Sequence, residues 1–268
     1  MLSKKICNLT LFCLPFLVEA QMLRCPPVDA MGNTAQKIDI TAGAGVTLLY
    51  GDIRHDNNLG WGTVLKADYR VYKGLYAGLE GQIGQLRAVG ENNPLEAGWD
   101  PRGVINRPYI AGMVNVTVYP YRFFINERML FRESGFEKFV LNGLYVGVGF
   151  GGIFNNYSDV VRGNTFTYTN NQGNSVTRTF PEGAMNGPVD GGNDWLLPVA
   201  NVGISIPLNK YSSYYRNGYF SFVANSQFNF SRGEDLDGYN PIDIDTGEPT
   251  SKYNDMYNFT YLGLKYTF

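Results

Sequence analysis

Apolar and polar residues alternate at every second position in eight stretches of this 268-residue chain. A period of two puts the two sets on opposite faces of an extended strand, whereas a helix needs a period near 3.6. The stretches are residues 37–52, 61–72, 75–86, 109–119, 144–154, 199–206, 219–230 and 257–268. In the first, Ile38, Ile40, Ala42, Ala44, Val46 and Leu48 oppose Asp39, Thr41, Gly43, Gly45 and Thr47. In the last, Leu262, Leu264, Tyr266 and Phe268 oppose Tyr261, Gly263 and Lys265. The chain reads as all-β.

Two architectures use such strands, and they differ in which face meets solvent. A sandwich buries the apolar face; a transmembrane barrel turns it to lipid and fills its interior with polar and small residues. Strands near ten residues long suit a tilted membrane crossing. Glycines repeated on the polar face, as at Gly43/Gly45 and Gly147/Gly149/Gly151, fit a tight lumen and waste a solvent face. Aromatics gather near strand ends, with Tyr50, Trp61, Tyr109 and Trp195 at one end and Tyr72, Tyr119, Tyr121, Tyr219, Tyr266 and Phe268 at the other. Two aromatic belts are expected where a barrel crosses the two interfaces. An eight-stranded, up-and-down antiparallel transmembrane barrel is therefore expected over residues 37–268.

The first residues agree with export. Lys4 and Lys5 precede the apolar run at positions 9–18, and Val18 and Ala20 offer small residues for cleavage. That is the layout of a signal peptide over residues 1–20, too short in its apolar core to span a bilayer. Residues 21–36 then read as a periplasmic N-terminal segment. Cys25 is left alone, so no intrachain disulfide is expected. Phe12 and Arg24, each just before a cysteine, are too large for a lipoprotein signal. Net charge of -2 and a single histidine argue against nucleic acid as a partner and against multi-histidine metal chemistry.

Longer and shorter connections alternate along the strands, as outer-membrane barrels require, and an even strand number places both termini in the periplasm. The shortest connection fixes a register. A three-residue loop, Tyr72-Lys73-Gly74, needs a left-handed residue at its end, which Gly74 supplies. Val71 then faces Leu75, and Lys66 faces Glu80 on the inner side, with Asp68 and Arg70 further along. Charges enclosed in a narrow lumen must compensate one another, so Lys66, Asp68, Arg70 and Glu80 are expected to form an interior ion-pair network. Side chains fill the interior of eight strands, and a wide pore is not expected.

Few residues carry catalytic or ligand chemistry. His55, near Asp52 and Asp56 in an external loop, is the one candidate for acid–base work; a hydrolase would need a nucleophile and an orienting partner around it, and the plainer expectation is a solvated loop. Asp235, Asp237, Asp243 and Asp245 lie in the acidic segments DLDG and DIDTG, which resemble calcium loops. The complete spacing, with glycine sixth and glutamate twelfth, is absent, so the plainer expectation is a solvated loop bridged to lipopolysaccharide by divalent cations. The 121–143 segment mixes Phe123, Phe124, Leu130, Phe131, Phe136 and Phe139 with Arg122, Arg128, Arg132 and Lys138. It reads as an interfacial anchor, rings toward lipid and basic groups toward headgroups, or as a dock for a periplasmic partner. No cofactor is expected.

The final residues, Tyr261-Leu262-Gly263-Leu264-Lys265-Tyr266-Thr267-Phe268, resemble the sorting signal of bacterial outer-membrane barrels. The resemblance implies that Tyr261, Gly263, Tyr266 and Phe268 are read by the barrel-assembly machinery. YGDI (50–53), GQIGQLRA (81–88), EDLDGY (234–239) and NDMYNFTYLGLKYTF (254–268) are similar to Bacteroidetes-type small outer-membrane barrels. That group includes OmpA-like barrel domains and the small barrel of the type IX secretion and gliding apparatus. The wall-tethering role of OmpA is not implied, because no peptidoglycan-binding domain follows Phe268. The function expected is a non-enzymatic structural or interaction role in an envelope complex of the outer membrane. The alternatives are a narrow channel and, third, a barrel hydrolase using His55.

Overall fold

Along the chain the strands are β1 (Ile38–Tyr50), β2 (Leu59–Tyr72), β3 (Leu75–Val89), β4 (Gly103–Val118), β5 (Leu144–Asn155) and β6 (Asn164–Thr169). They continue as β7 (Ser175–Phe180), β8 (Ala184–Asn186), β9 (Asn193–Pro207), β10 (Tyr219–Ser231), β11 (Pro241–Asp243) and β12 (Met256–Thr267). Two helices, α1 (Pro120–Phe124) and α2 (Phe136–Gly143), lie between β4 and β5. The computed structural model describes residues 38–51, 59–90, 103–124, 136–155, 164–170, 172–180, 184–186, 193–208, 218–233, 236–239, 241–243, 245–248 and 254–268. The chain divides into Met1–Gln36 and Lys37–Phe268, and all of the described residues belong to the second unit.

Eight of the strands close into one antiparallel barrel in the order β1-β12-β10-β9-β5-β4-β3-β2. The seam between first and last strands pairs Asp39 with Thr267 and runs on to Tyr50 with Met256. Closure leaves no unpaired sheet edge in the barrel, which hydrocarbon demands because it offers no hydrogen bonds. β6 pairs with β7, and β8 with β11, as separate two-stranded ribbons outside it.

The alternation is inverted relative to a water-soluble fold. On β2, Leu65 is 62% exposed while its neighbour Lys66 is 6% exposed. The same holds around the ring: Ile40, Leu79, Val114, Val148 and Leu264 face out, and Asp39, Glu80, Asn115, Gln227 and Lys265 face in. An apolar exterior around a polar interior is what lipid selects. Among the described residues no helix is long and apolar enough to cross a membrane.

Several elements depart from the sequence expectation. In the β2–β3 hairpin Lys66 pairs with Glu80 and Arg70 with Tyr76, but the next pair is Tyr72 with Leu75, after a register shift. Val71 is thus absorbed in a bulge and does not face Leu75. Gly74 holds the left-handed conformation, with φ of 68°. β9 begins at Asn193, six positions before its alternation becomes visible at Val199. Its pairing shifts between Leu196 and Val199 against both neighbours, around Pro198, which has no N–H to give to a ladder. Tyr109, Tyr119 and Tyr219 are buried at 0%, 5% and 9% exposure and face inward, so they belong to no belt. Tyr50, Trp61 and Trp195 at one end, and Tyr72 and Phe268 at the other, are exposed.

Candidate functional site

The end of the barrel that carries Ile38 and Phe268 is closed by a connected set of charges and rings. Lys265 Nζ lies 3.2 Å from Asp39 Oδ2 and donates to the Tyr119 hydroxyl at 3.2 Å. Tyr119, just after β4, makes ring contacts with Tyr76 and Tyr145 at 5.3 and 5.2 Å. α1 then turns Arg122 back over this cluster, its guanidinium 3.8 Å from the Tyr119 ring centroid. Arg122 donates to the Tyr76 hydroxyl at 2.8 Å and to the Asn142 carbonyl of α2 at 3.2 Å. A guanidinium can stack flat on a ring while donating in its own plane in two directions, a geometry that an ammonium lacks. Arg122 is therefore a stopper for this mouth, and the expectation that it points to lipid headgroups is corrected. Phe123 and Phe124 do face outward, at 41% and 87% exposure, with Phe123 6.3 Å from the Tyr72 ring.

Midway along the lumen sit the charges expected from the hairpin register. Lys66 Nζ lies 3.2 Å from Asp68 Oδ1 and donates to Thr117 Oγ1 at 3.0 Å. Glu80, although opposite Lys66 in register, accepts from Gln82 Nε2 and Asn115 Nδ2, both at 2.7 Å. Arg70 stands half-buried opposite Tyr76, nearer the turn. Gly78, opposite Asp68, leaves room for that carboxylate: a Cβ there would collide with Asp68 Oδ1. Gly149 does the same for the Asn115 amide. Gly78 and Gly149 are thus the space into which the Asp68 and Asn115 side chains fit.

Toward the far end the lumen is bridged from wall to wall. Gln82 Nε2 donates to Gln227 Oε1 at 2.8 Å. Their strands, β3 and β10, are four places apart around an eight-strand ring in either direction, so this bond crosses the full interior. Tyr257 donates to Gln82 Oε1 at 3.1 Å, and Tyr109 packs on Tyr257 at 5.6 Å between centroids. Phe259, Tyr109 and Tyr257 have no exposure at all.

Among the described acidic residues of the last long connection, Asp243 and Asp237 accept from backbone N–H groups of their own turns. Asp243 closes its own turn: its carboxylate accepts the N–H groups of Asp245 and Thr246 at 2.8 and 2.9 Å. Those two donors hold the Asp243 carboxyl below the ordinary carboxylate range. Asp245 is exposed. Asp237 is buried, accepts from the Tyr239 N–H, and its own N–H donates to Asp255. Among the described residues no group of three or more His, Cys, Asp or Glu side chains is placed to hold a metal ion. Asp235 and His55 lie outside the described residues.

At the seam, the N–H of Phe268 donates to the Ile38 carbonyl at 2.8 Å. Tyr261 faces the lumen, packed at 5.2 Å on Phe259, while Tyr266 and Phe268 meet edge-on at 4.6 Å. Gly263 pairs with Gly43 across the seam. Sequence reasoning missed the Asp39–Lys265 pair, the Gln82–Gln227 bridge and the Arg122 stopper. The first two involve residues whose inward parity is visible, but their meeting depends on closure.

These features define a transmembrane β-barrel of the outer-membrane type, closed by eight strands and filled by its own side chains. No known family profile matches the chain, and no curated protein matches it. Among solved structures it is similar to the attachment invasion locus protein Ail of Yersinia pestis, at 13% identity and a TM-score of 0.37, over 87% of this chain and 100% of that one. It is similar to Neisserial surface protein A at 10% identity and a TM-score of 0.36, over 86% and 97%. The outer-membrane protease OmpT of Escherichia coli stands at 12% and 0.39, over 88% and 98%. Likenesses this distant carry no function over to the chain, whose barrel is defined by its own strand order.

Proposed function

We propose that the chain is a closed, non-enzymatic outer-membrane barrel that serves an envelope assembly through its two ends, with the lumen as structural filling. The termini-bearing mouth, stoppered by Arg122, faces the periplasm, and the long connections face outward. Lipid and lipopolysaccharide surround the barrel, and a protein partner engages one of its ends. The observation that supports this most is the Gln82–Gln227 bond across the lumen. A permeant solute would have to break it, displace Phe259 and Tyr257 beside it, and then part Lys265 from Tyr119. Leaving buried amides and charges unpaired costs about 1–3 kcal/mol for each group.

A narrow channel is the second reading, favoured by polar residues that line the interior along its length, among them Asn201, Asn225 and Ser205. Planar-bilayer recording of the folded chain separates the two. Silence at applied voltages of either sign is expected from a filled barrel. Steady, discrete conductance steps would give the channel precedence.

A further inference from the structure

The connection between β5 and β9 carries a feature that the closed barrel does not use. β6 and β7 form a two-stranded hairpin pairing Thr165 with Thr179, Thr167 with Thr177 and Thr169 with Ser175. Thr167, Thr169, Ser175 and Thr177 are all exposed. Among the described residues no third strand joins this ribbon. Two strands alone are marginal in water, and three or more are needed for independent stability.

The hydrogen bonds at the hairpin's tip fix which backbone groups face the open edge. The Asn170 N–H donates to the Asn174 carbonyl at 2.9 Å. Hydrogen-bonded and non-bonded pairs alternate along an antiparallel ladder. Tyr168–Val176 is therefore a bonded pair, and Thr169–Ser175 and Thr167–Thr177 are not. The 3.0 Å approach of the Thr167 and Thr177 hydroxyls fits the closer side chains of a non-bonded pair. The N–H and C=O groups of Thr165, Thr167 and Thr169 consequently point away from β7.

Exposed edges are normally guarded by charge, proline or a bulge. The β6 sequence NTFTYT has neither charge nor proline, while β7 carries Arg178. The β6 sequence is also self-complementary. Antiparallel pairing of two copies about Thr167 puts Thr167 opposite itself and Thr165 opposite Thr169, so that every outward group finds a partner. Thr–Thr pairs are favourable across strands. A two-fold axis makes such an interface isologous and closed, limiting it to a dimer.

We propose that the outer edge of β6 is a strand-addition site for a second copy of this chain, giving a continuous four-stranded β7-β6-β6-β7 sheet above the barrels. The test uses the full folded chain in detergent, with light scattering over a range of protein concentrations. A concentration-dependent dimer is expected. Thr167→Pro removes an N–H that β7 does not use, so the hairpin ladder stays whole while the dimer weakens by about ten-fold or more. The barrel's resistance to unheated detergent reports that this variant still folds. In a chain whose Cys7, Cys13 and Cys25 are serine, Thr167→Cys is expected to crosslink between copies with a short bis-maleimide, and Thr177→Cys is not. A monomer at all concentrations, a dimer indifferent to Thr167→Pro, or equal crosslinking from position 177 would each overturn the proposal.

Discussion

The side-chain amides of Gln82 and Gln227 meet at 2.8 Å across the whole width of the barrel, joining strands on opposite walls. Each amide has further partners: Gln82 also donates to Glu80, and Gln227 donates to the sulfur of Met113 at 3.0 Å. Gln82→Leu and Gln227→Leu are each expected to lower stability by about 1–3 kcal/mol, because the amide left behind is buried and short of a partner. The double change removes both members of the cross-lumen bond and is expected to cost less than the sum of the two singles, although Glu80 and Tyr257 still lose their contacts with Gln82. Urea midpoints in detergent for the singles and the double measure this; strictly additive losses would mean that the two amides act separately.

The second relationship concerns Lys66. Its ammonium lies 3.2 Å from Asp68, while Glu80 is held by amides. Lys66→Met strands a buried carboxylate and is expected to cost about 3–5 kcal/mol. A double-mutant cycle of Lys66→Met with Asp68→Ala should show coupling of about 0.5–3 kcal/mol. The same cycle with Glu80→Gln in place of Asp68→Ala should show less. Greater coupling to Glu80 would place the ammonium on the cross-strand partner.

At the stoppered mouth, Arg122→Ala removes stacking on Tyr119 and hydrogen bonds to Tyr76 and the Asn142 carbonyl. Two donor contacts and a cation–π contact together suggest a loss of about 1–3 kcal/mol in holding α1. Limited proteolysis is expected to cut residues 120–143 faster in the variant, with the barrel strands still protected. Arg122→Lys keeps the charge but not the flat stack and planar fork, and is expected to recover only part of the loss. Full rescue by lysine would reduce the role of Arg122 to charge alone.

Much of this arrangement is legible in the residues. Lys66 opposite Glu80 follows from Gly74 and from parity, since a slip of one position would turn charged residues to lipid at about 2–4 kcal/mol for each basic group near the midplane. Parity also outranks position near a strand end. Tyr109 and Tyr219 sit beside the outward Ile110 and Phe220, so alternation sends them inward. The start of β9 is hidden because the irregular pairing around Pro198 resets the period between Leu196 and Val199. Arg122 is hidden for another reason: a basic residue among phenylalanines looks the same in sequence whether it meets headgroups or a ring of tyrosines.

The seam gives a prediction about assembly. Phe268 fastens the end of β12 to Ile38 of β1 and packs edge-on against Tyr266. Deleting Phe268 is expected to lower the fraction of chain inserted in membranes far more than deleting one residue from the 156–163 connection. Quantifying folded chain in the membrane fraction tests it, and equal insertion of the two variants would remove Phe268 from any part in assembly.

The most direct test of the closed, lipid-facing barrel is the electrophoretic mobility of the chain in detergent with and without boiling. Backbone groups paired all round a closed barrel resist detergent until heated, so the unboiled chain is expected to run ahead of the boiled one. A chain that leaves the cell envelope without detergent, and runs at one position whether boiled or not, would contradict the barrel.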